Sequence, residues 1–197
     1  IAYSPADIIR RHSAAWPGLV VETMEVMRLN PFEYRFRAPC HLLIAAEIAE
    51  RDAGETLLEG LPRSTQRDFT RKLTFVPAGH DFRGSQTPRA LTRTVCLYLD
   101  PAGPLADPAL RFDEIEFRPR LFFYDRDLWD TALKLKAQVR NPHVMHRQYV
   151  EALGILLAHE LARINDGVEP GAPATRGGLA PWQQRRVADY IEAHVSE

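Results

Sequence analysis

The chain has 197 residues, of which 45% are hydrophobic and 26% charged, an ordinary composition for a globular protein. This length allows one large domain or one domain with an appendage. The 25 Lys and Arg against 26 Asp and Glu give a net charge of −1, which disfavours a dedicated nucleic-acid-binding domain because such domains are clearly basic. No apolar run approaches the roughly 18 residues of a membrane helix, so we expect a cytoplasmic protein without membrane association. Cys40 and Cys96 fall in predicted strands, and we expect both thiols to be reduced.

The first part of the chain, residues 1–122, has the pattern of a β-rich domain, with short apolar alternations separated by Gly and Pro turns. Residues 5–12 are amphipathic and predict a short helix or arm that docks on this domain. Turn signals occur at 52–54 and 60–64, and the first is typical of a hairpin. Further strands are predicted at 19–27, 32–37, 40–48, 55–59 and 110–118, and the mostly apolar 40–48 is typical of a strand that is buried on both faces.

The stretch 69–100 contains the two strands around which we expect the domain to be organised. Leu73 and Phe75 point one way in the first strand, and apolar residues alternate with Thr, Arg, Cys and Tyr in the second, over 90–100. This period of two is typical of half-buried antiparallel strands. The Pro-Ala-Gly segment 77–79 predicts a turn, and a polar turn is expected between the two strands. The pattern favours the middle of a β-barrel or β-sandwich.

The hydrophobic period becomes helical near residue 125. Asp125 or Asp127 can cap the start of a first helix, whose apolar positions are spaced by three and four residues as far as Val139. The Asn-Pro pair at 141–142 ends this helix. A second helix is predicted at 143–164. The apolar positions of the first helix are Leu128, Ala132, Leu135 and Val139.

The second predicted helix is apolar around more than one stripe, so it needs two surfaces to bury it. One surface can be the β-domain or the first helix. The other can be the same helix of a second subunit, or the helix can lie in one thick core, and the sequence leaves both alternatives open. The apolar positions of this helix are Met145, Tyr149, Ala152, Leu153, Ile155, Leu156, Leu157, Leu161 and Ile164.

Residues 166–178 are rich in Gly, Pro and Ala without hydrophobic periodicity, and they predict a linker. After it, Val187, Ile191 and Val195 recur every four residues, as in a single amphipathic helix within 179–197. One helix beyond a flexible linker has nothing of its own to fold with. We therefore expect it to be the first helix of a further domain that is truncated here.

The segment 176–194, which contains Gly-Gly-Leu-Ala-Pro followed by Val-Ala-Asp-Tyr-Ile, resembles the entry to the DNA-binding domain of AraC/XylS-type transcription regulators. The segments 59–64 (Glu-Gly-Leu-Pro-Arg-Ser) and 72–79 (Lys-Leu-Thr-Phe-Val-Pro-Ala-Gly) are similar to the cupin-like sensor of such regulators. The resemblance covers most of 40–195, and the tail is its more specific part.

This resemblance implies a mainly β fold with added helices: a cupin-like effector-sensing β-barrel at 1–122 and a helical dimerisation region at 123–165. It implies a bacterial-type regulator that forms a homodimer, binds a small-molecule effector and contacts DNA only through the missing C-terminal domain. Ligand binding would change the pose of the helix pair and so of the DNA-binding domains. The candidate dimerisation residues are Tyr149, Leu153, Leu156, Leu157 and Leu161.

The histidines do not match the pattern of a metal-dependent cupin, which needs two closely spaced histidines and a carboxylate on one strand and a third histidine from a later strand. His41 is followed by Leu-Leu-Ile, and His80 directly follows Gly79, away from that spacing. His143 and His146 lie on one face of the second helix without a third ligand. We therefore expect neither a metal nor another cofactor.

No Ser/His/Asp arrangement, phosphate-binding Gly-rich loop or paired-carboxylate pattern occurs in the sequence. We therefore expect a binding module and not an enzyme. The alternative is a small metal-dependent cupin enzyme, such as a dioxygenase or an isomerase, and elemental analysis would discriminate the two.

Polar residues that can point into the barrel mouth are the candidates for effector binding. Arg93 shares the parity of Leu91, Val95 and Leu97, so an inward Arg93 would need an anionic ligand or an internal ion-pair partner. The candidate ligand-binding residues are Arg37, His41, Glu47, His80, Arg83, Arg93 and Tyr98.

Overall fold

The computed structural model describes residues 1–103, 110–139 and 147–167, and residues 1–166 form one compact unit. In these ranges ten strands form two antiparallel sheets. The two sheets share an apolar cluster, so the described β-region is a sandwich and not one closed barrel. The predicted helix in 179–197, and most of the predicted linker, lie outside the described residues.

The four-stranded sheet has the order β1 (Ala2–Ser4), β4 (Phe32–Phe36), β8 (Phe82–Pro88) and β6 (Arg51–Leu58). The six-stranded sheet has the order β10 (Arg120–Phe123), β7 (Lys72–Val76), β5 (His41–Ile48), β9 (Arg93–Leu99), β3 (Leu19–Val26) and β2 (Ile9–Trp16). Two short 3-10 turns, Ala6–Ile8 and Phe112–Glu114, and two helices, α1 (Arg126–Val139) and α2 (Arg147–Asn165), complete the described elements.

The strands predicted at 19–27, 32–37 and 40–48 are confirmed as β3, β4 and β5. The predicted helix at 5–12 is wrong beyond one 3-10 turn, because the chain from Ile9 onward pairs with β3, in the register Ile9 opposite Val26. Backbone pairing along a full strand outweighs a short amphipathic pattern.

The hairpin turn predicted at 52–54 is also wrong, because these residues belong to β6. The register of β6 against β8 shifts between Arg51 and Ala53, which marks a β-bulge. Gly54 has a φ of 126°, and a side chain there would overlap the backbone of Ser85. The glycine therefore serves a bulge and a close approach of two strands instead of a reversal.

Two further expectations about the strands fail. The predicted polar turn after residue 80 contains β8, whose alternation is hidden because Gly84 and Gln86 occupy inward positions between Phe82 and Pro88. The predicted last strand at 110–118 is a 3-10 turn with irregular flanks, and the last described strand is β10. The two central strands, β7 and β9, are separated in the sheet by β5.

The six-stranded sheet is buried on both of its faces. Alternate residues such as Val21, Leu73 and Leu97 pack with the helices on the outer face. The residues between them, such as Met24 and Cys96, join side chains of the four-stranded sheet in the interior. The alternation was therefore predicted correctly, but its more apolar face contacts the helices and its Thr- and Cys-containing face lines the sandwich interior.

Helix α1 begins as the sequence predicts. The Asp125 carboxylate accepts a hydrogen bond from the Leu128 amide at 3.0 Å, which caps the helix. The same carboxylate pairs with Arg163 of α2 at 2.7 Å and so ties the two helices together. Helix α1 packs on β2, β3 and β9, and α2 packs on α1 and β2.

The candidate dimerisation residues of α2 divide into two groups. Leu153, Leu157 and Leu161 are buried in the core of their own chain, so this part of the prediction is corrected. Tyr149 and Leu156 are exposed to 47% and 43% and remain the candidates that a second subunit can reach.

Tyr34 on β4 crosses the neighbouring strand β8 and shares a hydrogen bond of 2.7 Å with the Thr56 hydroxyl on β6. It can do so because residue 84, which lies directly opposite it on β8, is a glycine. A side chain at Gly84 would overlap the Tyr34 hydroxyl and the Glu55 carbonyl oxygen.

We predict that Gly84→Ala lowers the free energy of unfolding by about 2–3 kcal/mol through overpacking. Gly79→Ala is the matched control, because it has a positive φ but no atom within 4 Å of the added carbon. It should cost about 1 kcal/mol through its backbone conformation alone. Urea unfolding of both variants checks this, and equal costs would contradict the crossing of Tyr34 over Gly84.

Candidate ligand-binding cavity

The candidate ligand residue His41 is buried, with 6% of its surface exposed, on the helix-facing side of the six-stranded sheet. Its ring lies 4.9–5.7 Å from three Phe rings. Its Nδ1 accepts a hydrogen bond of 3.0 Å from the Ala78 amide, so it holds the turn after β7. Burial lowers the pKa of His41 to about 4, and the charge of His80 acts in the same direction. His41 is therefore neutral and stabilises the turn after β7 through this hydrogen bond.

The charged candidates lie away from the sandwich interior. Glu47 points to the helix side and pairs with Lys136 of α1. Arg93 is half-exposed and pairs with Glu25 at 3.3 Å, which is the ion-pair alternative for this residue. Arg37 is exposed just after β4. Arg83 is exposed on the outer side of the four-stranded sheet and pairs with Asp81 at 3.6 Å.

The remaining two candidates, His80 and Tyr98, lie in different places. His80 is half-buried beside the turn, with its Nδ1 3.3 Å from the Ala78 carbonyl oxygen. Tyr98 packs against the interior cluster, and its hydroxyl donates to the Glu22 carboxylate at 2.8 Å. Burial raises the pKa of Tyr98 far above its usual value, so it stays neutral. The seven candidates thus do not form one site.

The structure instead contains a cavity between the two sheets, with a volume of about 60 Å³. Its lining is apolar and aromatic with a few hydroxyl and amide groups, and no side chain among the described lining residues carries a formal charge. The lining residues are Ile1, Tyr3, Ile9, Met24, Val26, Phe32, Tyr34, Ile44, Ala46, Phe69, Thr74, Phe82, Gln86, Thr92, Thr94 and Phe122.

The cavity has few polar groups, and one of them, the Tyr34 hydroxyl, is already hydrogen-bonded to Thr56 at 2.7 Å. Gln86 on the four-stranded sheet donates to the Thr92 hydroxyl at 3.4 Å, across the cavity from one sheet to the chain that enters β9. Thr74 and Thr94 add hydroxyl groups from β7 and β9. Apolar walls with a small number of polar groups are typical of a small-molecule site.

Two stacked aromatic rings border the cavity. Phe69 and Phe122 lie 4.9 Å apart at an interplanar angle of 29°. Phe122 has a φ of 50°, in the left-handed region that a Phe rarely occupies, at the irregular pairing of β10 with β7. Its amide reaches the Thr74 hydroxyl only at 3.5 Å.

The guanidinium of Arg51 packs against the Phe69 ring, with its central carbon 5.4 Å from the ring centre. Arg51 is only 1% exposed. The guanidinium donates to the carbonyl oxygens of Gln66 at 2.8 Å and Ser64 at 3.1 Å, and to the Thr56 hydroxyl at 3.1 Å. Because its donors are satisfied inside the protein, Arg51 fixes the loop before Phe69 and does not present its charge to the cavity.

Sequence reasoning missed the cavity because its polar residues are Thr and Gln, which also occur on exposed strand faces. Thr74 and Thr94 alternate with apolar residues, so they were expected on the less buried side of their strands. The helical segment after residue 125 was the available signal. Helices pack on the most apolar face of a sheet, so the opposite face, with its Thr residues, would be the one that lines the interior.

In the part of the chain that the structure describes, no three His, Cys, Asp or Glu side chains converge as a metal site. Among the same residues, no helix has the length and apolar character needed to cross a membrane.

The chain matches no protein-family model, and it matches no curated protein. Solved structures that are similar to this chain include cupin proteins, at low sequence identity. DMSP lyase DddQ from Ruegeria pomeroyi is 14% identical over 61% of this chain and 55% of its own, with a TM-score of 0.39. An RmlC-like cupin from Shewanella frigidimarina is 9% identical over 48% of this chain and 78% of its own, with a TM-score of 0.37. The Clostridium difficile EutQ protein is 14% identical over 49% of this chain and 65% of its own, with a TM-score of 0.35. Likenesses this weak carry no argument about activity.

We predict that protonation of His41 lowers the free energy of unfolding at acidic pH. Because its folded pKa of about 4 lies below its ordinary value of 6.5, its contribution is complete above pH 6.5 and is lost as the pH falls towards 4. His41→Asn keeps an acceptor for Ala78 but cannot titrate. The stability advantage of the wild type over this variant should shrink by about 2–3 kcal/mol between pH 7 and pH 4.

Urea unfolding at several pH values measures this difference. His12→Asn, in β2, is the matched control, because His12 is exposed and has no ring contact with the Phe residues around His41. A His41→Asn protein that lost stability in parallel with the wild type would contradict the role assigned to His41.

Proposed function

We propose that this chain is the effector-sensing and dimerising part of an AraC-type transcription regulator, in which a cupin-like sensor binds a small molecule between its sheets. In this proposal DNA is read by a further domain, whose first helix lies within 179–197. The observation that carries the proposal is that one sheet borders the cavity on one face and the helix pair on the other.

Strand β3 illustrates this arrangement. Met24 and Val26 line the cavity, whereas Leu19 and Val21 of the same strand belong to the cluster that packs with the helices. A ligand that shifts β3 therefore acts on the surface that positions α1. Such a shift changes an equilibrium between two helix poses only by the difference in the ligand's affinity for them.

The exposed face of α2 supports the dimerising role. Tyr149 and Leu156 are seven residues apart, about two helical turns, so they lie on one side of the helix. Ile155 is also partly exposed beside Leu156. A helix that buries one stripe in its own core and exposes another fits an isologous contact with a second copy.

We predict that the 1–197 chain is a dimer in sedimentation experiments, and that Leu156→Lys weakens the dimer by at least about tenfold, since a central apolar anchor contributes more than 1 kcal/mol. Leu91→Lys is the matched control, because Leu91 is 55% exposed but lies just before β9, away from α2. A wild-type monomer, or equal weakening by both variants, would contradict the proposal. A stoichiometric transition metal in elemental analysis would favour a metal-dependent cupin enzyme instead.

A further inference from the structure

We propose that the cavity takes a neutral, mainly apolar molecule of about single-ring size, and that this ligand enters by displacing Phe122, which moves the segment leading into α1. The ligand class follows from the cavity itself, and the transmission to α1 rests on the proposed function.

The charge of the ligand is restricted by the lining. No described side chain that borders the cavity is charged. The guanidinium of Arg51, which packs against Phe69, already donates its hydrogen bonds to groups of the protein. The one charged group of a lining residue, the amino group of Ile1, already donates to the Tyr98 hydroxyl at 2.9 Å. An anion placed among the remaining uncharged groups would lose its hydration, which is unfavourable. Thr74, Thr94 and the weakly bonded Gln86 can satisfy one or two polar atoms of a neutral ligand.

The size of the ligand is restricted by the volume. A dry apolar cavity of roughly 150 Å³ is known in another protein to hold benzene, whereas this cavity has about 60 Å³. A ring-sized molecule therefore requires one lining side chain to move. A Phe ring that leaves the cavity supplies space of the same shape as a single-ring ligand.

We assign the displacement to Phe122 because its backbone is held less regularly than that of the other Phe residues in the lining. Phe69 is held by the buried Arg51, and Phe32, Tyr34 and Phe82 lie within paired strands of the four-stranded sheet. Phe122 combines an unfavourable φ, an irregular strand pairing and a long amide hydrogen bond. It is also only partly buried.

Displacement of Phe122 would be transmitted to the helices through the short segment that follows it. Asp125 follows three residues later, caps α1 through the Leu128 amide and pairs with Arg163 of α2. The segment that closes the cavity is thus continuous with the residue that joins both helices. Phe122 is a positioning residue in this scheme, and the cavity walls bind the ligand.

The test compares toluene with benzoate, which has a ring of the same size and a negative charge, by calorimetry on the 1–197 chain. We expect toluene to bind and benzoate to bind at least about tenfold more weakly. Phe122→Ala should bind toluene about tenfold more tightly than the wild type, because opening no longer opposes binding. Tyr124→Ala, in the same segment but 63% exposed, is the matched control and should match the wild type.

The proposal would be overturned if benzoate bound as tightly as toluene, or if neither the wild type nor Phe122→Ala bound toluene. It would also be overturned if the wild type and Phe122→Ala bound toluene with equal affinity. Phe122→Leu replaces Phe122→Ala if the latter does not fold, with a smaller increase in affinity expected.

Hydrogen exchange at the Leu128 and Trp129 amides provides a separate readout of transmission. Toluene should change their exchange rates in the wild type, and unchanged rates at saturation would overturn the transmission step while leaving the ligand class intact. The regulator role itself depends on the dimer measured by sedimentation, so its failure is distinguishable from a failure at Phe122.

Discussion

The structure depends on burying both faces of the six-stranded sheet. One face receives α1 and α2, and the other closes against the four-stranded sheet. Both burials are apolar and contribute roughly 25 cal/mol per Å² removed from water. A sheet of this kind cannot shift on one side without disturbing the packing on the other, because protein interiors are close-packed. This constraint is the physical basis of the proposal that a ligand in the interior cavity influences the helices.

The charged side chains that the structure describes are arranged around this apolar frame and do not line its cavity. Arg51 fixes a loop, His41 fixes a turn, and Asp125 with Arg163 fixes the helix pair. Each of these groups has its hydrogen bonds or ion pairs supplied by the protein, as buried polar groups require. The side chains that line the cavity supply hydroxyl, amide, aromatic and aliphatic groups, and this division is the basis of the proposed preference for a neutral ligand.

The sequence predicted the strands and helices better than it predicted the site. The period of two located β7 and β9, a mostly apolar run located β5, and the Asp125 cap with its apolar spacing located α1. The period could not say which strand face would meet the helices, because both faces are buried. It also missed β8, since Gly84 and Gln86 stand at inward positions where apolar residues are expected.

The candidate ligand residues failed for a related reason. They were chosen as charged or polar side chains in predicted strands, and in the structure such side chains mostly found partners outside the sandwich interior, as Glu47 did with Lys136 and Arg93 with Glu25. These partnerships join residues distant in sequence and cannot be deduced from local patterns. Thr74 and Thr94, which do line the cavity, carry no distinctive local signal.

A crystal structure determined under xenon pressure tests the central claim most directly, because xenon enters dry apolar cavities. The account predicts xenon between the sheets beside Phe122, with α1 packed against the opposite face of the same six-stranded sheet. An interior without xenon, or α1 packed away from that sheet, would contradict it.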